Sequence, residues 1–291
     1  MIGIDSSRRF PLALTFGMAL VLYAAAVQGA ESPIPHGTVE LIAENLWIRP
    51  GHEFSLGLQF QLEKGWHLYW INPGDSGEPP RVTWQLPPGF RSGVVEWPAP
   101  RRLVNSSIVD FGYEDAVMLI VPVHPETSVA MQPLAQLALE VRVLVCREMC
   151  IPGRTQLSLA LPIKSRPPAP DERNRDLFAA ARKDLPRPAP QNWKFSVDDE
   201  KDSFVLAANP GPQITQAVFF PLAEAQIDNS APQTLQLRAT GFRLTLRKSD
   251  RLLKPIDRLK GVLVLSGNHA YLIDVPVGKR GAQKPAADST R

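Results

Sequence analysis

The two cysteines of the chain, Cys146 and Cys150, are the side chains whose type and spacing could do chemistry. They enclose Arg-Glu-Met, follow the apolar run 137–145 directly, and are followed by Ile151-Pro-Gly153. Four residues of extended strand would separate their Cα atoms by roughly 13 Å, whereas a disulfide needs them within about 7 Å. If the two cysteines bond, the chain must therefore turn between them at the end of a strand.

This spacing is compatible with three kinds of site. A redox-active pair is favoured over a structural disulfide, because closing a loop of about five residues contributes only roughly 2 kcal/mol, against almost 5 kcal/mol for a loop of a hundred. Metal binding is the third alternative, since Cys146, Met149 and Cys150 offer the soft ligands that Cu(I) prefers. A zinc site would need two further ligands, and the five histidines show no ligand spacing.

Short β patterns predict the elements that position the cysteines. Residues 54–62 alternate strictly between apolar and polar side chains, as a half-buried strand does, and 117–123, 137–145 and 157–161 are further candidates. Turns bearing Pro and Gly separate these runs, with no alternating helices. We therefore predict an all-β fold class, with two antiparallel β-sandwich domains joined by a Pro-rich linker.

The N-terminus predicts export. Arg8 and Arg9 precede an apolar run over 10–27, and small residues follow before a polar turn, which is the order of a cleaved secretory signal peptide. The formal net charge of +3, with acids and bases interspersed, predicts no nucleic-acid partner. The mature product is expected to be exported and to carry no cofactor.

The domain organisation follows from shifts in composition. In the linker, the spacing of Leu177, Ala181 and Leu185 predicts one short amphipathic helix. The predicted segments are a signal peptide (1–30), a redox β-sandwich (31–163), a Pro-rich linker with the short helix (164–190), a second β-sandwich (191–278) and a disordered tail (279–291).

Three segments together resemble the N-terminal periplasmic region of DsbD-type thiol:disulfide interchange proteins, particularly the ScsB-like branch. The segments are Gly65-Trp-His-Leu-Tyr-Trp-Ile-Asn-Pro-Gly-Asp-Ser-Gly77 followed by Trp84 and Trp97-Pro-Ala-Pro100, then Phe111-Gly-Tyr-Glu114, and last Cys146-Arg-Glu-Met-Cys-Ile-Pro-Gly153. The similarity runs from about residue 38 to 163, and a weaker one covers the second sandwich through Phe219-Phe-Pro221.

The resemblance implies immunoglobulin-like β-sandwiches and a periplasmic location. It also implies that Cys150 forms the intermolecular mixed disulfide and that Cys146 is its intramolecular partner. Residues 110–113 fall where the family has an aromatic cap loop, so Phe111 or Tyr113 is expected to shield the sulfurs. His67 and Asp75 are possible accessory groups for proton transfer.

The resemblance also implies partners. The 291 residues of the chain contain neither the membrane domain nor the thioredoxin domain of the longer family members. The expected electron donor is therefore a thioredoxin-like domain or membrane-embedded relay on a separate chain, and the expected acceptors are oxidised periplasmic proteins. The alternatives are a Cu(I)-handling or copper-tolerance module that uses the same cysteines, and a non-catalytic scaffold with a structural disulfide.

Overall fold

The computed structural model of the protein describes residues 31–131, 133–209 and 211–279. The predicted signal peptide and nearly all of the predicted tail lie outside the described residues. Within the described part, strands account for almost all regular structure and no helix is long and apolar enough to cross a membrane. The predicted all-β fold class is confirmed.

Eleven strands of the described chain form the first sandwich. They are β1 (Ser32–Ile34), β2 (Gly37–Ala43), β3 (Phe54–Leu62), β4 (His67–Gly74), β5 (Arg81–Gln85), β6 (Phe90–Ser92), β7 (Arg101–Asn105), β8 (Ile108–Glu114), β9 (Ala116–Pro125), β10 (Leu134–Cys146) and β11 (Cys150–Pro162), with a 3-10 turn at Thr127–Met131. One sheet has the order β1-β2-β3-β9-β6. The other has the order β11-β10-β4-β8-β7, and β5 also pairs with β10.

The two faces of β10 show how the sequence sorts into core and surface. Successive side chains of a strand point to opposite faces. Along β10, the odd-numbered residues from Leu137 to Val145 are at most 5% exposed and belong to the core between the sheets. The even-numbered residues, including Arg142 and Cys146, therefore lie on the outer face of the sheet.

The segment between the sandwiches carries the one α-helix of the described chain, α1 (Arg175–Asp184). Its buried side chains, Phe178 and Ala181, pack with Ile42, Met118 and Ile120 on the outside of the first sandwich.

Leu177, predicted to share one apolar stripe with Ala181 and Leu185, is 41% exposed. Phe178 stands one residue further along the helix, about 100° around its axis, and takes the inward position.

The second sandwich consists of eight strands. They are β12 (Arg187–Pro188), β13 (Phe195–Asp199), β14 (Ser203–Ala208), β15 (Ala217–Pro221), β16 (Thr234–Arg238), β17 (Gly241–Arg247), β18 (Arg258–Leu265) and β19 (His269–Lys279), with a 3-10 turn at Ser266–Asn268. Their order is β15-β18-β19-β13-β14-β17-β16, with β12 also on β19. The pairings of β19 with β12 and β13 are parallel, which the predicted antiparallel pattern did not include.

Strand β15 contributes to the cores of both sandwiches, because its side chains alternate between its two faces. Phe219 packs into the core of the second sandwich, whereas its neighbour Phe220 joins the core cluster of the first. The ring of Phe220 meets the ring of Phe111 edge-on at a centroid distance of 5.1 Å, and that of Trp70 at 6.3 Å. A strand that is buried on both faces thus makes the two sandwiches share apolar surface.

This contact predicts that the sandwiches unfold together. Phe220 is 3% exposed, so Phe220→Ala should lower the free energy of unfolding by about 3–5 kcal/mol. Urea denaturation followed by tryptophan fluorescence measures the loss, and Leu253→Ala, at a side chain that is 91% exposed, is the matched control. A loss similar to that of the control would show that the two cores do not depend on each other.

Candidate redox site

The register of the β10–β11 hairpin brings the cysteines together. The two strands pair continuously from Leu134 opposite Pro162 to Cys146 opposite Cys150. Directly opposed residues of an antiparallel pair lie about 4.5–5.5 Å apart, and here the two Cα atoms are 4.1 Å apart and the sulfurs are bonded. Residues 147–149 make the turn, which the Arg147 N–H closes by donating to the Met149 carbonyl at 3.1 Å. The disulfide is therefore the last rung of the hairpin.

The two sulfur-bearing residues differ in access. Cys146 is 2% exposed, whereas Cys150 belongs to the exposed residues at the tip. An incoming thiolate must reach the sulfur that it attacks. The geometry therefore leaves Cys150 accessible and covers Cys146.

Strand β4 supplies the neighbours of the disulfide. His67 pairs with Cys146, so the two side chains lie on the same face, and Tyr69 follows on that face two residues later. The Tyr69 hydroxyl lies 3.5 Å from the Sγ of Cys150, and its side chain is 1% exposed. Tyr69 is therefore the aromatic residue beside the sulfurs.

The loop after β4 holds Tyr69 and Asp110 in place. Gly77 has a φ of +80° and lies against the Tyr69 ring, and any Cβ at this position would clash with that ring. The Ser76 amide and hydroxyl both donate to the Asp110 carboxylate, at 2.9 and 3.0 Å. Asp75 accepts from the Val109 amide at 2.8 Å. Each residue from Asp75 to Gly77 thus contacts a residue of β4 or β8, and these contacts fix the side chains on the outer face of the sheet.

Burial disfavours the charged forms of three ionisable groups on this face. Burial lowers the pKa of His67, although the nearby carboxylates of Asp110 and Glu114 act in the opposite direction. Burial raises the pKa of Asp110, and the hydrogen bonds from Ser76 partly oppose this. Burial also raises the pKa of Tyr69, so the hydroxyl beside Cys150 keeps its proton at neutral pH.

The contacts of Phe111 and Tyr113 differ from those expected of a cap over the sulfurs. Tyr69 is paired with Gly112, so the residues on either side of Gly112 point to the opposite, core face of the sheet. Phe111 packs on Phe220 there, and Tyr113 donates its hydroxyl to the Pro98 carbonyl at 2.7 Å.

In the structure, the aromatic side chain in contact with Cys150 is Tyr69, through its hydroxyl. The sequence analysis did not assign this role to Tyr69. The alternation that places it on the same face as His67 is the signal that could have indicated it once β4 was known to pair with β10. Shielding by Phe111 or Tyr113 stays a prediction that these contacts do not support.

The accessory residues and the metal ligands occupy different surroundings. His67 lies beside Cys146, with its Nε2 buried and without a hydrogen-bond partner. Asp75 instead lies in the loop after β4, where it accepts a hydrogen bond from the Val109 amide.

No group of three or more His, Cys, Asp or Glu side chains that could hold a metal occurs in residues 31–279 as far as the structure describes them. Met149 is 67% exposed at the tip, and Cu(I) binding by Cys146, Met149 and Cys150 in the reduced state stays a prediction.

The turn between the cysteines rests on an aromatic stack. The Arg147 guanidinium lies 5.0 Å from the ring centroid of Trp66, which stacks on His36 with a centroid distance of 3.7 Å. Cation–π contacts of this kind contribute about 0.5–1 kcal/mol at exposed sites. The Arg147 side chain, which follows Cys146, is thereby held against Trp66, the residue before β4.

The lowered pKa of His67 predicts a pH dependence of stability. Below its ordinary pKa of 6.5, the unfolded chain takes up a proton that the folded chain resists, so stability should fall as the pH drops from 7.5 to 5.5. His67→Gln should remove this contribution to the pH dependence. The contribution is well below the largest slope that one proton can give, about 1.4 kcal/mol per pH unit, because solvent screens the ring. Urea denaturation at the two pH values measures the difference. His52→Gln, at an exposed histidine, is the control, and an equal pH slope in both variants would contradict the assignment.

Comparison with known proteins agrees with this geometry. The family described as "Thiol:disulfide interchange protein DsbD, N-terminal" matches residues 39–162. The crystal structure of the N-terminal periplasmic domain of ScsB from Proteus mirabilis is similar in fold, with a TM-score of 0.63 and 16% identity over 87% of this chain and 99% of that one. The tandem Ig repeats of Dlar give a TM-score of only 0.22 at 14% identity, over 88% of this chain and 100% of that one, which does not indicate a shared fold. No curated protein matches the chain. The segment that carries the cysteine pair, residues 39–162, is a DsbD-type N-terminal domain.

Proposed function

We propose that the protein is a periplasmic thiol–disulfide exchange protein that relays reducing equivalents through Cys146 and Cys150 to oxidised partner proteins. The observation that carries the proposal is the asymmetry of the pair, in which an exposed Cys150 is bonded to a buried Cys146 at the end of a hairpin. The match of residues 39–162 to thiol:disulfide interchange proteins supports the same chemistry.

The relay consists of two exchange steps. In the reduced protein, the Cys150 thiolate attacks a partner disulfide, a mixed disulfide forms, and one partner sulfur leaves as a thiolate. The Cys146 thiolate then attacks Cys150, which restores the Cys146–Cys150 bond and releases the second partner thiol. Two electrons pass to the partner, and a donor dithiol returns the pair to the reduced state by the reverse steps.

Tyr69 has two roles in this scheme. Its side chain lies against Cys150 through the hydroxyl, which restricts the directions from which a thiol can approach. Its hydroxyl, 3.5 Å from the sulfur, is a proton donor that can stabilise the Cys150 thiolate. Hydrogen bonds to a charged form lower its pKa, and a larger thiolate fraction speeds the attack.

The proposed partners and location follow from the relatives. The similar ScsB structure is described as an N-terminal periplasmic domain, and the signal-peptide pattern of residues 1–30 agrees with export. The donor would be a thioredoxin-like domain or membrane-embedded relay on another chain, and the acceptors would be oxidised periplasmic proteins. The near balance of charges gives no basis for a nucleic-acid partner.

The asymmetric pair predicts which cysteine can be trapped. The partner is a thioredoxin-fold protein that retains only its attacking cysteine, activated beforehand as the mixed disulfide with thionitrobenzoate. The free thiolate of Cys146→Ser should attack the partner sulfur, with thionitrobenzoate leaving, at least about tenfold faster than that of Cys150→Ser, because only Cys150 is accessible. Mass spectrometry of the non-reduced mixture measures the two yields over time. Equal trapping of both variants would indicate that access does not choose the sulfur. Trapping of neither would favour a scaffold with a structural disulfide.

The position of Tyr69 predicts how quickly a small thiol reduces the pair. Tyr69→Ala should speed reduction by dithiothreitol about tenfold, because the access of the attacking thiol limits exchange. Tyr69→Phe keeps the ring and is the matched control for shielding. Its rate should stay within about threefold of the parent, the remaining change reporting the hydroxyl. Quenched-flow trapping of free thiols gives the rates, and identical rates for the parent and Tyr69→Ala would contradict shielding.

A further inference from the structure

The second sandwich contacts the loop that holds Tyr69 beside the disulfide. We call residues 72–77, which comprise the end of β4 and the turn after it, the support loop, because Ser76 binds Asp110 and Gly77 lies against the Tyr69 ring. Asn229, from the second sandwich, donates from its Nδ2 to the Asp75 Oδ1 at 2.9 Å. The other Asp75 oxygen accepts from the Val109 amide at 2.8 Å. The Asp75 carboxylate thus connects β8 of the first sandwich to the second sandwich.

The beginning of the support loop is held in the same way. The Asn72 Nδ2 donates to the Pro221 carbonyl at 2.7 Å and to the Ala223 carbonyl at 3.3 Å, both in the second sandwich. The Asn72 Oδ1 accepts from the Gly74 amide at 3.1 Å, and Asn72 is 1% exposed. Buried amides that use both their donor and their acceptor fix a loop, since breaking either bond leaves a buried polar group unpaired.

Asn229 is itself held in place. It is 5% exposed, and its carbonyl accepts from the Arg102 guanidinium at 2.5 Å. The Asp228 carboxylate accepts from the amides of Ser230 and Ala231, which fixes the turn that carries Asn229. The Arg251 guanidinium lies 3.7 Å from Asp75 and adds a favourable charge. The donor to Asp75 is therefore preorganised and does not depend on a mobile surface side chain.

We propose that the second sandwich is a positioning unit for the redox site and that Asn229 is its main positioning residue. Through Asp75 it fixes the support loop, the loop fixes Tyr69 and Asp110, and Tyr69 limits access to Cys150. The inference rests on the proposed function for its biological meaning. Its physical content, control of access to one sulfur by a contact in another domain, does not require a protein partner.

The reaction with dithiothreitol reads out this control. A dithiothreitol thiolate attacks the Cys150 sulfur, a bond to that sulfur forms, and the Cys146 thiolate leaves. The second dithiothreitol thiol then closes the ring of oxidised dithiothreitol and releases Cys150, so that one disulfide is exchanged for another. A loosened support loop would free Tyr69 and speed the first step.

The decisive experiment exchanges the two partners of the hydrogen bond. Asn229→Asp places two carboxylates against each other and should speed reduction about fivefold or more, whereas Asn229→Ala removes only the donor and should speed it about two- to threefold. The double variant Asp75→Asn/Asn229→Asp restores one donor and one acceptor at unchanged net charge. Its rate should return to within about twofold of the parent. Asn192→Ala, at an exposed asparagine ahead of β13, is the matched control.

The outcomes separate positioning from stability. Calorimetry on each full-length variant records the unfolding temperature, and rates are compared far below it. Faster reduction in Asn229→Asp with rescue in the double variant supports the proposal. Parent-like rates in Asn229→Asp and Asn229→Ala, or a folded double variant that is not rescued, overturn it. If Asn229→Asp does not fold, the rate of Asn229→Ala decides alone. Failure to trap a thioredoxin-fold partner would count against the proposed function and leave this result standing.

Discussion

The register of the β10–β11 hairpin is the constraint on which the rest of the site depends. Side chains alternate between the faces of a strand, so a slip of one residue would move the whole apolar set of β10 out of the core. Core burial of Leu137 to Val145 thereby fixes the pairing as far as Cys146 and Cys150. The same apolar contacts that stabilise the first sandwich consequently align the two sulfurs and place His67 beside Cys146.

Stability and chemistry occupy opposite faces of the same strands. On β4, Leu68 and Trp70 pack into the core, whereas His67 and Tyr69 face the disulfide. A rigid sheet is a good support for a site because its side-chain directions are set by the backbone pairing. The shared core at Phe220 extends this support into the second sandwich.

Burial shapes the chemistry of the outer face in a consistent direction. It disfavours the charged forms of His67, Asp110 and Tyr69 alike, which lowers the pKa of the histidine and raises those of the other two groups. The two sulfurs themselves differ in exposure, and the Tyr69 hydroxyl lies beside that of Cys150.

Local sequence patterns were enough to predict the all-β class, the strand that leads into the cysteines, and the cysteine pair, because alternation, turn residues and short-range spacing are properties of neighbouring residues. The motifs within residues 39–162 also marked the family. The contact of Tyr69 with Cys150 could be found only in the folded structure, because it depends on which strand pairs beside β10 and on the face that each residue takes. The contact of Asn229 with Asp75 likewise needed the complete fold, since two residues 154 positions apart become neighbours only when the two sandwiches pack through Phe220.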